Sequence, residues 1–401
     1  MAPFRAPAFR RLWCSSVTLA GAQGMERTAT AWLALELGAS PLMVGAIFAA
    51  RMLPSLLFGL GAGTVADRVD RTHQLAAVSG AALLLTAATG LLVGAEALGV
   101  WHLVLLAFAF GAAQVFDTPA RQALVLDTVP ADAALRGLAL NALAARLATG
   151  LGALAAGALI PPIGVAGCFL AVAAVYGLTA LLVASVRAAQ IHRSSAAPAP
   201  FREALWGAAR LIVDVRDVRT LVVAGLVCEV FAFSHITALP LFAQDVLRAG
   251  PEELGTLNAA LAIGRAVAVA LLAALPERLP RRPLLGAVFL AYGLAIALLA
   301  STRSLGPAVV ALVVTGVCAA AFDVLQQALL QLAVPAEQRG RAVGVWLFSI
   351  GSAPAGHLEM GALIAALGVP AALLINGAVT VAAAAGLLAR EPAYRWWRRP
   401  A

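Results

Sequence analysis

Gly63-Thr64-Val65-Ala66-Asp67-Arg68-Val69-Asp70-Arg71-Thr72 is the stretch from which the fold is read. One apolar run, Val44 to Val65, enters it, and a second, Leu75 to Val93, leaves it. Each run approaches the roughly 20 residues that a membrane-crossing helix needs. Two such runs on so short a loop form a hairpin, and the loop keeps its carboxylate and guanidinium groups at one membrane face. The pattern returns in Pro276-Glu277-Arg278-Leu279-Pro280-Arg281-Arg282, again between apolar runs. Asp67-Arg68 and Glu277-Arg278 lie 210 positions apart (67 to 277), as do Arg71 and Arg281, Pro41 and Pro251, and Gly45 and Gly255. An acid-Arg-x-x-Arg loop at matching places in two halves marks a duplicated chain.

Composition points the same way. Of 401 residues 62% are hydrophobic and 12% charged, against about 25% charged in soluble chains. So few charges cannot cover a globular surface, so lipid must. The net charge of +8 suggests nucleic acid as a partner. That reading fails, because the arginines alternate with apolar runs instead of sharing one basic face. All 28 basic residues are arginine, a composition typical of a GC-rich bacterial genome. Cys14, Cys168, Cys228 and Cys318 share no short spacing, so no metal site or disulfide framework is expected. No phosphate-cradling Gly-x-x-x-x-Gly-Lys-Ser/Thr loop and no Ser-His-Asp arrangement stands out, so no cofactor is expected.

About twelve spans are predicted. The first half carries Leu12–Leu37, Leu42–Ala66, Gln74–Gly94, Trp101–Leu126, Gly137–Ile160 and Ile163–Val186. The second carries Arg219–Ala243, Glu252–Leu275, Pro283–Ser301, Leu305–Ala333, Arg341–Ala366 and Gly368–Ala389. Between them lies a polar linker, 187–218, whose part Phe201–Asp217 could form an amphipathic surface helix. The expected units are a first bundle over 1–186, the linker over 187–218 and a second bundle with a basic tail over 219–401. Arg5, Arg10, Arg11, Arg68, Arg71, Arg136, Arg278, Arg281, Arg282, Arg339, Arg341 and the tail arginines fall on one side; Arg248 and Arg303 fall on the other. The crowded side is read as cytoplasmic, with both termini inside.

A second repeat reinforces the duplication. Phe116-Asp117 with Gln122-Ala123-Leu124 and Val129-Pro130-Ala131-Asp132 returns as Phe322-Asp323 with Gln327-Ala328-Leu329 and Val334-Pro335-Ala336-Glu337. Arg136-Gly137 and Arg339-Gly340 then open the next spans.

The loop Gly63-x-x-x-Asp67-Arg68-x-Asp70-Arg71-Thr72 resembles the signature between helices 2 and 3 of the major facilitator superfamily, with Asp70 and Thr72 departing from it. Phe9-Arg10-x-Leu-Trp13, Ser40-Pro41-Leu-x-Val44-Gly45, Leu53-Pro54, Pro119-Ala120-Arg121-Gln122-Ala123 and Arg339-Gly340-Arg341 are similar to its enterobactin-exporter-like branch, which includes macrolide efflux proteins. The resemblance implies an all-α polytopic protein of two six-helix bundles related by a pseudo-twofold axis. It implies a monomeric secondary transporter of the bacterial inner membrane, exporting a drug-like compound or siderophore by alternating access and proton antiport. An importer or facilitator on the same fold is the alternative; a polytopic membrane enzyme, a gated channel or a sensor is the rival of another class. Many proton-coupled exporters carry an arginine in helix 4 where this chain has Leu105 to Gly111, so coupling must lean on the carboxylates.

Charges at membrane depth are costly and mark function. Glu26 and Arg27, Asp117 and Arg121, Glu229 and His235, and Asp323 fall on spans 1, 4, 7 and 10, which in the family line the cavity. Asp117 and Arg121 stand four apart, as an ion pair would. Glu26 has Thr30 at that spacing, so it reads as protonatable. Asp117 and Asp323 are expected to face each other across the pseudo-twofold axis. Glu229 reads equally as an interfacial acid, and His235 as a packing group. Arg51, Arg146, Arg265, His357 and Glu359 are further charges inside spans. The acids suggest cationic cargo, whereas Arg121, Arg146 and Arg265 suit an anionic siderophore. A cytoplasmic gate follows from the resemblance: Gly63, Asp67 and Arg68 at the end of span 2 against Arg339 and Arg341 opening span 11, with Arg71 bridging to Asp127. Glu277, Arg278 and Arg281 would form the second, weaker copy, because Ala333 stands where a counterpart of Asp127 would fall.

Overall fold

The structure is a computed structural model that describes residues 3–130, 133–186, 210–274, 280–335 and 338–389. Helices α1 Pro7–Glu36, α2 Pro41–Arg68, α3 Arg71–Gly94 and α4 Val100–Thr128 follow one another across tight turns. Ser40 Oγ caps α2 by accepting from Met43 N, and Asp70 Oδ1 caps α3 by accepting from His73 N. The charged stretch Gly63–Thr72 is therefore mostly helix: Asp67 and Arg68 form the last turn of α2, and the connection is Val69 and Asp70.

α5, Ala134–Ala184, is long enough for two spans and folds back at Pro161, Pro162 and Gly164, where Gly164 has φ 71°. The second half comprises α6 Arg216–Val227, α7 His235–Leu241, α8 Pro251–Ala274, α9 Arg281–Ser301, α10 Leu305–Leu332, α11 Arg339–Ile350, α12 Ala353–Leu367 and α13 Val369–Ala389. Nine helices among the described residues are long and apolar enough to cross a membrane, one of them the double-length α5. α1 and the α11–α12 pair bring the fold to the expected architecture.

Two expected spans are not continuous. The run Arg219–Ala243 is interrupted by π-helical segments at Cys228–Ala232 and Phe242–Val246, with Pro240 inside α7. Such insertions bend helices and are frequent at functional sites. The run Arg341–Ala366 breaks at Gly351-Ser352 between α11 and α12. Apolarity sets where a span lies and is blind to which backbone bonds it keeps. Most of the linker and the tail, along with Glu277 and Arg278, lies outside the described residues; so do the side chains of Asp67 and Arg68, while the backbone of Gly63 is part of α2.

The duplication extends to backbone conformation. Gly38 (φ 69°) turns α1 into α2, and Arg248 (φ 55°), 210 positions on, turns the seventh span into α8. Gly164 (φ 71°) has its mate in Gly368 (φ 81°), which turns α12 into α13. A side chain in that region costs roughly 1–2 kcal/mol. Gly164→Ala should lower the thermal midpoint in detergent, whereas Arg248→Gly should leave it level or raise it.

Within the first half α1 packs on α5, α2 on α4 and α3 on α5; within the second α8 packs on α10 and α9 on α13. Glycines set these approaches: a Cβ on Gly24 would stand 2.0 Å from Thr149 O, and one on Gly264 2.1 Å from Val313 O. Among the described residues two glycine-lined crossings stand out between the halves. α2 meets α12, where a Cβ on Gly45 would stand 2.5 Å from His357 O and one on Gly361 2.7 Å from Pro41 O. α5 meets α8, where Gly255 faces Ala153 O at 2.6 Å and Gly157 faces Pro251 O at 2.7 Å by the same construction. Gly45 and Gly255 are repeat mates, so one contact is used twice. Both crossings lie near the face opposite the one where α1 begins.

Candidate functional site

Behind these crossings, between the halves, lies a cavity of about 160 Å³. Its wall combines Gly24, Arg27, Thr28, Ala31 and Phe48 with Arg146, Thr149 and Ala153 from the first half, and Ile236, Pro240, Asn258, Leu261, Ala262 and Arg265 from the second. Asn258 Nδ2 donates to Thr28 Oγ1 at 3.3 Å, a hydrogen bond that joins the halves across the cavity. Among the described residues three guanidinium groups line the wall and no carboxylate does. Arg27, though deep in the fold, is exposed to this space, where Arg51 and Arg265 repel it and Glu26 attracts it.

Of the residues expected around the cavity, Arg27 is the one found on its wall. Glu26 is fully buried and has partners after all. Thr30 Oγ1 donates to its Oε1 at 2.9 Å, and Arg51 Nη1 lies 2.9 Å from Oε1 and 2.8 Å from Oε2. Arg51 also donates to Gln114 Oε1 at 3.3 Å and stacks over the Phe110 ring at 5.7 Å. The pair joins α1 to α2, which spacing along a single helix could not reveal.

Asp117 takes a two-pronged grip from Arg121, Nε to Oδ2 and Nη2 to Oδ1, each at 2.9 Å. Arg121 Nη1 then donates to Ser15 Oγ at 3.0 Å and Ser16 Oγ at 3.2 Å, tying α4 to α1. No hydrogen bond links Asp117 with Asp323. Asp323 is half-buried on α10, where it feels Arg146 and Arg265, and Glu229, on the first π-helical segment, feels the charge of Asp323. The two aspartates are mates in sequence but have unlike neighbours: one has an arginine a helical turn away, the other Gln327.

His235 is fully buried. Its Nδ1 lies 2.7 Å from Ala232 O and 3.4 Å from the Tyr292 hydroxyl. His357 Nδ1 lies 2.8 Å from Thr237 Oγ1. Asn376 Nδ2 donates to both Glu359 Oε2 and Ser234 Oγ, at 3.0 and 3.1 Å. Together these side chains brace the broken seventh span. Thr28, Thr149, Phe48 and Asn258 were missed as wall residues; an amide alone in an apolar run, as Asn258 is, was the signal available.

At the face where α1 begins, Arg71 Nη1 meets Asp127 Oδ2 at 2.5 Å, joining α3 to the last turn of α4. In the second half Arg282 forms an ion pair with Asp217. Arg281, Arg339 and Arg341 are exposed.

The sequence profile of the transmembrane secretion effector family matches residues 1–395. The multidrug efflux pump Tap of Mycobacterium tuberculosis (strain ATCC 25618 / H37Rv) is 28% identical over 390 residues, covering 92% of this chain and 90% of Tap. A bacterial homologue of the human lysosomal transporter Spinster, solved in an inward-facing and occupied conformation, superposes with a TM-score of 0.75 at 15% identity over 97% of both chains. The nucleoside transporter NupG superposes with a TM-score of 0.75 at 13% identity, over 96% of this chain and 98% of that one. At these identities the solved structures speak to the fold alone.

Proposed function

From a chain that belongs to the transmembrane secretion effector family of major facilitator transporters, and is thus a multi-pass carrier of small molecules and not an enzyme, we propose an exporter working by alternating access. The observation that carries this reading is the pair of glycine crossings at one face with the cavity directly behind them. With the basic face inside, as arginine asymmetry argues, the crossings close the outer side and the cavity belongs to an inward-open state. The efflux function of Tap supports the outward direction, and the bacterial inner membrane is the proposed location. The chain acts as a monomer in this reading, its units being 1–186, the linker 187–218 and 219–401.

Protons are the proposed coupling ion. Neutralising Glu26 or Asp117 would strand Arg51 or Arg121 in the interior, which is costly. Asp323 has no cation within ion-pair distance among the described residues, although it senses Arg146 and Arg265. We therefore assign the coupling proton to Asp323, with Glu229 sensing its charge, in place of Glu26 and Asp117. Asp323→Asn should bind substrate and insert normally, but its transport in proteoliposomes should no longer respond to an imposed pH gradient. A retained pH response in Asp323→Asn and its loss in a folded Glu26→Gln would return the role to Glu26.

The proposed inner gate joins Asp67 on α2 to the start of α11, with Arg71–Asp127 bracing it. Arg71→Gln keeps the capped turn but removes the α3–α4 bridge. It should slow transport severalfold with unchanged membrane insertion, as read by initial rates in vesicles. Export itself is tested in everted vesicles, which should accumulate substrate if the direction is right.

A further inference from the structure

Resting on the reading of the cavity as the substrate site, we propose that it recognises organic anions: molecules with an apolar body and a carboxylate or similar anionic group. Arg27 from α1, Arg146 from α5 and Arg265 from α8 converge on one wall, two from the first half and one from the second. None of the three forms an ion pair among the described residues, and Arg265 Nε is buried with no hydrogen-bond partner.

The acids nearby do not discharge them. Glu26 is held by Arg51 and Asp117 by Arg121. Asp323 and Glu229 stand off the wall, and even with both ionised the three guanidiniums exceed them by one charge. Cations at membrane depth persist where something compensates them. Here the missing compensation is a counter-charge in the cavity itself. Guanidinium forks match carboxylate oxygens two at a time, and Thr28, Thr149 and Asn258 add neutral polar groups. The rest of the wall, Phe48 and Leu261 among it, is apolar and fits a hydrocarbon or aromatic body. An anion held by Arg146 and Arg265 together also bridges the two halves, so its binding bears on whether they stay closed.

The test uses full-length protein in detergent and two xanthene dyes of similar size, fluorescein as the anion and rhodamine 123 as the cation, with binding read by anisotropy. Fluorescein should bind at least tenfold tighter than rhodamine 123, and benzoate should displace it better than benzamidine or inorganic phosphate at equal ionic strength. Arg265→Gln and Arg146→Gln should each weaken fluorescein binding tenfold or more without weakening rhodamine 123, and Arg265→Lys should lose less. Equal affinities for the two dyes, equal displacement by benzoate and benzamidine, or glutamine variants within twofold of wild type would overturn the proposal. The dye and competitor comparisons need no variant, so a variant that fails to fold leaves the test intact. Loss of fluorescein binding in nanodiscs containing phosphatidylglycerol, but not in neutral ones, would assign the arginines to a lipid headgroup and also overturn it. Vesicles that transport rhodamine 123 while the protein ignores fluorescein would sink the anion inference and keep the transporter reading. Arginine-dependent fluorescein binding with neither dye moved would do the reverse.

Discussion

Arg51→Met should be the most destabilising single substitution in the first half, lowering stability by about 3–5 kcal/mol, because it leaves the fully buried Glu26 carboxylate without a cation. The Thr30 hydroxyl remains, but one neutral donor does not replace a guanidinium that touches both carboxylate oxygens. Glu26→Gln with Arg51→Met should recover most of the loss, since removing both charges removes the desolvation cost along with the attraction. Thermal midpoints of the four proteins in detergent form the cycle. A single Arg51→Met variant as stable as wild type would mean that the pair contributes nothing and that Glu26 is free to change its protonation, as its sequence neighbourhood alone suggested.

Gly361→Val should disable transport by at least tenfold while the protein still folds and inserts. A Cβ at Gly361 would stand 2.7 Å from Pro41 O and 3.1 Å from Leu42 Cα, and these are backbone atoms that cannot rotate away. In the proposed alternating access α2 and α12 have to separate, and their crossing is one of the two proposed to close the outer face. Gly157→Val at the repeat-related crossing should act alike, because its Cβ meets Pro251 O at 2.7 Å. The readout is a single cysteine at Phe48 in an otherwise cysteine-free chain, labelled from the outer face: both variants should raise its reactivity. Gly386→Val, with nothing within 4 Å of its Cβ, is the control and should change neither labelling nor transport. Unchanged labelling in both gate variants would show that the crossings are packing contacts and not a gate.

These expectations separate what was legible in the residue order from what was not. Sequence by itself determined the all-helical, many-span architecture and where its apolar runs lie, because roughly twenty apolar residues in a row admit one low-cost solution in lipid, a helix that satisfies its own backbone. It also determined the duplication, down to the pairing of Gly45 with Gly255, whose equivalent crossings the structure then displays. The Asp117–Arg121 pair was open to inspection too, since four residues along a helix bring two side chains together. What needed the tertiary structure was every relation between helices. Arg51 lies 25 positions from Glu26, and nothing in that interval says that α2 carries it to the same depth as α1. Arg27, Arg146 and Arg265 are scattered over both halves, yet only packing turns them toward one space while it turns Glu26 and Asp117 into their own pairs. Helical periodicity specifies a face, and the partner opposite that face is chosen by how closely glycines let two backbones approach.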